Sequence, residues 1–236
     1  MIHKIPIHQP YDFDTILSFL KRHVAEGIEE VGEDYYLRFL PDETIKVEMK
    51  DAHLLVTCKD EKHLEKIKHL FDVHHNPATL PILSGIRVAG CFNAFEVGVS
   101  IILGQLISIK QATKKLAQLI EKFGDVEIHH FPTPHELLDA EIESIGITKT
   151  KATAIRGLAL LYHDNVPISR ENLLSIKGIG PWTSELIMMR CEKDKDAYPK
   201  NDLFIKKALD ANLVDETPWI DNRAYLTHYI WKEMTS

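Results

Sequence analysis

Residues 173–209 read LLSIKGIGPWTSELIMMRCEKDKDAYPKNDLFIKKAL, with Gly178-Ile179-Gly180 between two apolar-periodic segments. Two glycines one residue apart admit backbone angles that a Cβ obstructs, so the chain can reverse tightly there. Pro181 then pre-sets φ for the first turn of the following helix, where its missing N–H costs nothing. The pattern predicts helix, hairpin, helix, with backbone N–H groups at the positive end of a dipole, a natural seat for a phosphate. Twenty-two residues beyond Gly180 stands Asp202, directly before the apolar-periodic run Leu203, Phe204, Ile205, Ala208 and Leu209. A phosphate seat followed by a carboxylate at a helix start points to chemistry on a nucleic acid.

Outward from this stretch, apolar positions recur at three and four from about residue 76 to 209. They predict helices over 92–106, 109–123, 134–138, 151–162, 170–176, 182–189 and 202–209, with prolines near several of the starts. The first 76 residues have a different texture. A helix is predicted over 13–24 with Asp12 as its cap, then strands over 35–40, 44–49 and 53–58, then a helix over 64–71. The expected fold class is therefore α+β: an amino-terminal antiparallel sheet with helices on one face, residues 1–76, followed by an all-helical region, residues 77–236.

The 236 residues are 44% hydrophobic and 27% charged, which is globular, and no apolar run approaches the length of a membrane span. The opening MIHKIPIHQPYD has no signal-like apolar stretch, and Cys58, Cys91 and Cys191 are spaced neither for zinc nor for an iron–sulfur cluster. Reduced, buried thiols in a cytoplasmic protein are expected. The net charge of −7 weighs against a diffuse basic surface for nucleic acid, so binding would have to be local.

Asp202 fits a helix N-cap, and that role is compatible with catalysis, because a helix amino terminus favours an anion. Such an anion can stabilise the oxocarbenium-like sugar left when an N-glycosidic bond breaks. Trp182 is either helix packing or a stacking wall. Gly104-Gln105-Leu106-Ile107-Ser108 interrupts an apolar helix. It is either a helix end and turn, or a loop that pushes Leu106 into a duplex where a base has left. Lys149, Lys151 and Arg156 form a basic patch that reads first as a solvated face, and Lys177 inside the hairpin is the better phosphate ligand. The pairs His74-His75 and His129-His130 lack a third ligand and read as surface residues.

GIGPWT followed by Asp202 resembles the helix-hairpin-helix DNA glycosylases, and specifically their bacterial 3-methyladenine branch. The likeness extends to Gly85-Ile86-Arg87-Val88-Ala89-Gly90-Cys91, to Asn93-Ala94-Phe95-Glu96, to residues 102–108, to Gln9-Pro10-Tyr11-Asp12-Phe13, and to Asp34-Tyr35-Tyr36 and Leu70-Phe71-Asp72. It implies that Asp202 is the catalytic aspartate, and that Trp182, Leu186, Phe19 and Trp219 shape the base pocket. Gln105 and Leu106 would be the DNA wedge, and Lys177, Gly178, Ile179, Gly180 and Thr183 the phosphate-binding hairpin. Backbone carbonyls of Leu174, Ile176 and Ile179 would hold a structural Na+ or K+; no cofactor is required. The partner implied is double-stranded DNA containing damaged bases, acted on by a monomer with no membrane association.

Bifunctional relatives carry a nucleophilic lysine where this chain has Trp182, so a Schiff-base lyase step is not expected. Leu186 stands where the branch carries an aromatic, and residues 209–223 are short and divergent. The function implied is a monofunctional glycosylase for alkylated bases in base excision repair. Two alternatives stay open: a non-catalytic helix-hairpin-helix protein that binds damaged DNA, and a glycosylase for uracil or oxidised guanine.

Overall fold

The computed structural model describes residues 1–235. Five strands form one antiparallel sheet in the order β1-β5-β4-β3-β2: β1 (Ile2–Pro6), β2 (Glu29–Val31), β3 (Tyr35–Phe39), β4 (Thr44–Lys50) and β5 (His53–Thr57). Alternation decides which face is buried. Tyr36, Val47 and Val56 are opposite one another across β3, β4 and β5, and all three are fully buried. On that face lie Phe13, Ile16, Leu17 and Leu20 of α1 (Phe13–Arg22) and Ile67 and Leu70 of α2 (Leu64–Leu70). The Asp12 side chain caps α1 by accepting from the Thr15 N–H, as its position predicts.

Strands β1 and β2 are absent from the sequence expectation because their patterns are poor. β1 is an edge strand with one buried residue, Ile5, and β2 is three residues long.

The helical part comprises α3 (Ala94–Gly104), α4 (Ile109–Phe123), α5 (Pro134–Leu138), α6 (Lys149–His163), α7 (Arg170–Ser175), α8 (Pro181–Cys191), α9 (Leu203–Asp210) and α10 (Arg223–Thr235). Helix α3 is apolar nearly all round and sits at the centre, packed on α4, α6 and α8 through Val99, Ile102, Leu103, Leu116, Ile155, Leu158 and Ile187. No helix among the described residues is long and apolar enough to cross a membrane.

Contacts run freely across position 76. Ala25 and Ile28 belong to the helical core, whereas Ala89 and Phe92 join the sheet core. Arg38 on β3, 3% exposed, pairs with Glu29 at 3.3 Å and with Glu96 of α3 at 2.7 Å. Helix α10, which no apolar stripe announces, brings the carboxy-terminal end back to the start: Lys232 donates to Asp12 at 2.7 Å. His75, expected at the surface, is only 2% exposed and stacks on Tyr225 of α10 with ring centroids 3.9 Å apart.

Candidate active site

Six helices line a cavity of about 300 Å³, with α3 and α4 closing it beside α1, α8, α9 and α10. Helix α8 supplies Trp182, Leu186 and Arg190 to its wall, spaced four apart and therefore on one face. Helix α1 supplies Phe19 and His23 by the same rule, while its Ile16, Leu17 and Leu20 face the sheet core. Helix α10 contributes Trp231, and the start of α9 contributes Asp202 and Phe204.

Asp202 is the N-cap of α9, with its Oδ1 accepting from the N–H groups of Phe204 at 3.0 Å and Ile205 at 3.4 Å. Two indoles reach the same carboxylate: Trp182 Nε1 donates to Oδ2 at 3.2 Å and Trp231 Nε1 to Oδ1 at 3.1 Å. All four partners are donors, the arrangement a negative charge requires. Both tryptophans are thereby held as walls beside the carboxylate, and Trp231 also lies parallel to Phe19, with centroids 6.0 Å apart and planes inclined by 11°.

Phe19, Trp182, Leu186 and Asp202 are thus brought together as expected, and Trp219 is not. Trp219 is buried in a separate cluster with Tyr198, Ala224 and Tyr225, stacked on Tyr229, and does not line the cavity. Its expected place belongs to Trp231. Sequence reading passed over Trp231 because α10 mixes polar and apolar residues on every side, so no period marked a helix there.

Helix α3 ends at Gly104, and the next residues leave it abruptly. Leu106 has φ of +57° and a fully exposed side chain. A left-handed leucine costs roughly 1–2 kcal/mol, and its exposure costs more, so the loop is held in place by its neighbours. The Gln105 amide donates to Gly178 O at 3.0 Å and to Thr183 Oγ1 at 2.8 Å, and the buried Lys151 ammonium donates to Leu103 O at 2.7 Å. Gln105 is therefore a tether to the hairpin, and only Leu106 projects. Thr183, 2% exposed, spends its hydroxyl on that tether and keeps only its backbone N–H for a phosphate. Lys151 and Arg156 likewise leave the basic patch, the latter paired with Glu143 through its two terminal guanidinium nitrogens at 2.9 and 2.7 Å.

In the hairpin only Gly178 needs to be glycine. Its φ is +98°, and a Cβ would meet Thr150 O at 2.8 Å. Gly180 has ordinary backbone angles and nothing within 4 Å of a Cβ position. It is the N-cap of α8 with no side-chain cap bond, which leaves first-turn N–H groups beside open space. Ile179 plugs the turn into the core, and Lys177 stands exposed next to it.

Among the cavity residues not anticipated from sequence, Arg190 and His23 bear on its chemistry. Arg190, 6% exposed, donates to the carbonyls of Ala89 at 3.1 Å and Gly90 at 3.2 Å, with its Cζ 5.0 Å from the Phe19 ring centre. His23 stacks on Phe19 with centroids 4.4 Å apart; burial, aided by Arg190, pushes its pKa down to about 4.

No protein-family model matches the chain. It is 27% identical to DNA-3-methyladenine glycosylase 2 of Escherichia coli (strain K12), over 94% of each chain. It is 23% identical to the probable bifunctional transcriptional activator/DNA repair enzyme AlkA of Mycobacterium tuberculosis; there the match covers 97% of this chain but 56% of that longer protein. Among solved structures, the 3-methyladenine DNA-glycosylase from Archaeoglobus fulgidus superposes with a TM-score of 0.75 and 16% identity, over 98% of this chain and 97% of that one.

Proposed function

We propose, from the premise that the chain belongs to the helix-hairpin-helix DNA glycosylase superfamily, that it is a monofunctional glycosylase releasing alkylated bases from duplex DNA. The observation that carries this reading is the Asp202 carboxylate held by two indole N–H groups at the wall of an aromatic cavity. A base turned out of the helix would stack between these walls and bring its C1′ to the carboxylate, which stabilises the sugar cation as the bond breaks. Bases of the 3-methyladenine and 7-methylguanine type carry a positive charge and leave neutral, so no general acid is required. Among the described lining residues there is no lysine to form a Schiff base, which supports hydrolysis without strand cleavage.

The DNA path follows from the same frame. The first-turn N–H groups of α8 and Lys177 would hold a phosphate, and Leu106 would fill the space left by the extruded nucleotide. Carbonyls of Leu174, Ile176 and Ile179 would share a Na+ or K+ with that phosphate. Leu174 and Ile176 lie at the end of α7, where helix carbonyls lack intrahelical partners, and Ile179 lies in the hairpin, although Ile176 O already accepts from the Ile179 N–H at 3.0 Å. Action as a cytoplasmic monomer completes the reading.

Asp202→Asn tests it. Single-turnover base release from alkylated duplex DNA should fall by about 100-fold or more, as expected for losing one charge that stabilises the transition state. Affinity for an abasic-site duplex should stay the same or rise, since a carboxylate facing phosphates is lost. Equal release by both proteins would remove Asp202 from catalysis, and DNA binding without release of any lesion would make the chain a damage sensor.

A further inference from the structure

His23 stands one helical turn beyond Phe19, at the C-cap of α1, and lines the cavity. Its Nδ1 lies 2.8 Å from the Phe19 carbonyl oxygen. A carbonyl can only accept, so Nδ1 carries the proton and Nε2 a lone pair. Burial, with Arg190 and Arg22 close by, pushes its pKa down to about 4, so that lone pair persists at neutral pH.

The Ser100 and Thr113 hydroxyls on the lining can donate as readily as accept, so they do not tell an amino group from a carbonyl, and the remaining walls supply no acceptor of this kind. Trp182, Trp231 and Leu186 offer faces, which stack on any base. The Arg190 guanidinium is a donor already turned to two carbonyls, and the Asp202 oxygens are engaged by four N–H groups. Nε2 of His23 is therefore an acceptor that cannot turn donor, and it can read the direction of a hydrogen bond.

We propose that His23 is a specificity-determining residue whose Nε2 accepts an N–H from an exocyclic amino group of the extruded base, favouring 6-aminopurine lesions over lesions with a carbonyl at C6. The inference rests on the glycosylase reading of this cavity. An amino group at C6 turns an N–H toward the imidazole, whereas a C6 carbonyl would oppose lone pair to lone pair and leave both unpaired.

The experiment uses duplexes carrying 3-methyladenine or 3-methylpurine at one site, bases that differ only in the C6 amino group. Single-turnover release of each is measured relative to its spontaneous loss. The wild-type protein should favour 3-methyladenine. In His23→Phe, which keeps a ring on Phe19 but has no acceptor, that preference should shrink about tenfold, the loss expected for one hydrogen bond. His23→Gln, which restores an acceptor, should recover part of it. Equal losses on both bases in His23→Phe, with no selective recovery in His23→Gln, would make His23 a support for α1 and overturn the proposal. A wild-type protein that releases neither base would overturn the glycosylase reading itself, a failure visible before any variant is made.

Discussion

Trp219 is buried and Trp231 half-buried, both near the carboxy-terminal end, yet one indole N–H points at Asp202 and the other tryptophan packs against Tyr229. Trp231→Phe keeps a ring against Phe19 and deletes the donor. A hydrogen bond to a charged group contributes about 1.5–3 kcal/mol, so base release should fall about 10- to 100-fold with a small change in melting temperature. Trp219→Phe should do the reverse, lowering the melting temperature through lost packing while leaving release per folded molecule near wild type. Parallel assays of release and thermal unfolding check both, and equal effects on release would break the distinction. This pair also marks the limit of sequence reading at the residue scale. Asp202 and Trp182 were legible because each sits in a short motif at a helix start, while Phe19 was reached only through the resemblance. Trp231, His23 and Arg190 were not, because their roles come from three helices meeting.

At the scale of elements, what the sequence disclosed follows burial on one side. Strands β3, β4 and β5 alternate because one face is buried, and α1, α4 and α9 carry stripes for the same reason. Strand β1 with one buried residue and helix α10 with buried Tyr225, Thr227, His228 and Ile230 on several sides have no such signature. The hairpin was legible as a whole but not in its parts, since sequence gave both glycines equal weight. Gly178→Ala places a Cβ 2.8 Å from Thr150 O at a φ of +98°, and should cost about 1–3 kcal/mol of stability in urea unfolding. Gly180→Ala meets nothing in the protein and should leave stability within about 0.5 kcal/mol. It should nonetheless weaken binding to an abasic-site duplex, because the new methyl occupies the space beside the first turn of α8. Unchanged DNA affinity in a folded Gly180→Ala protein would move the phosphate elsewhere.

At the scale of the molecule, α10 is the clasp that carries Trp231 to Asp202, and it buries two neutral histidines, one within it and one against it. His228 on α10 packs beside Phe19 and Trp231, and His75 stacks on Tyr225. Nε2 of His228 and both ring nitrogens of His75 are buried without hydrogen-bond partners. Burial, reinforced by Arg190 for the first and Arg87 for the second, pushes each pKa down to about 3. An unfolded histidine titrates near 6.5, so below that value the unfolded chain binds protons that the folded chain refuses. Stability is therefore full above about pH 6.5 and is lost progressively as pH falls from there toward 3. At pH 5 each histidine forfeits roughly 2 kcal/mol. Asp72, raised to about 6 by burial, works in the opposite direction, and its folded-state protonation returns roughly 1 kcal/mol at the same pH. These three groups together lose about 3 kcal/mol between pH 7 and pH 5, and His23, pushed down to about 4, adds roughly 2 kcal/mol in the same direction, a large part of a typical domain's stability. Urea unfolding at the two pH values should show it as a lower midpoint, and His228→Phe should reduce the difference by about 2 kcal/mol. Because protonation loosens the helix that holds Trp231, base release should fail on the acid side together with the fold. A urea midpoint that stays constant from pH 7 to pH 5 would mean that these histidines accept protons in place, and α10 would then be no acid-sensitive clasp.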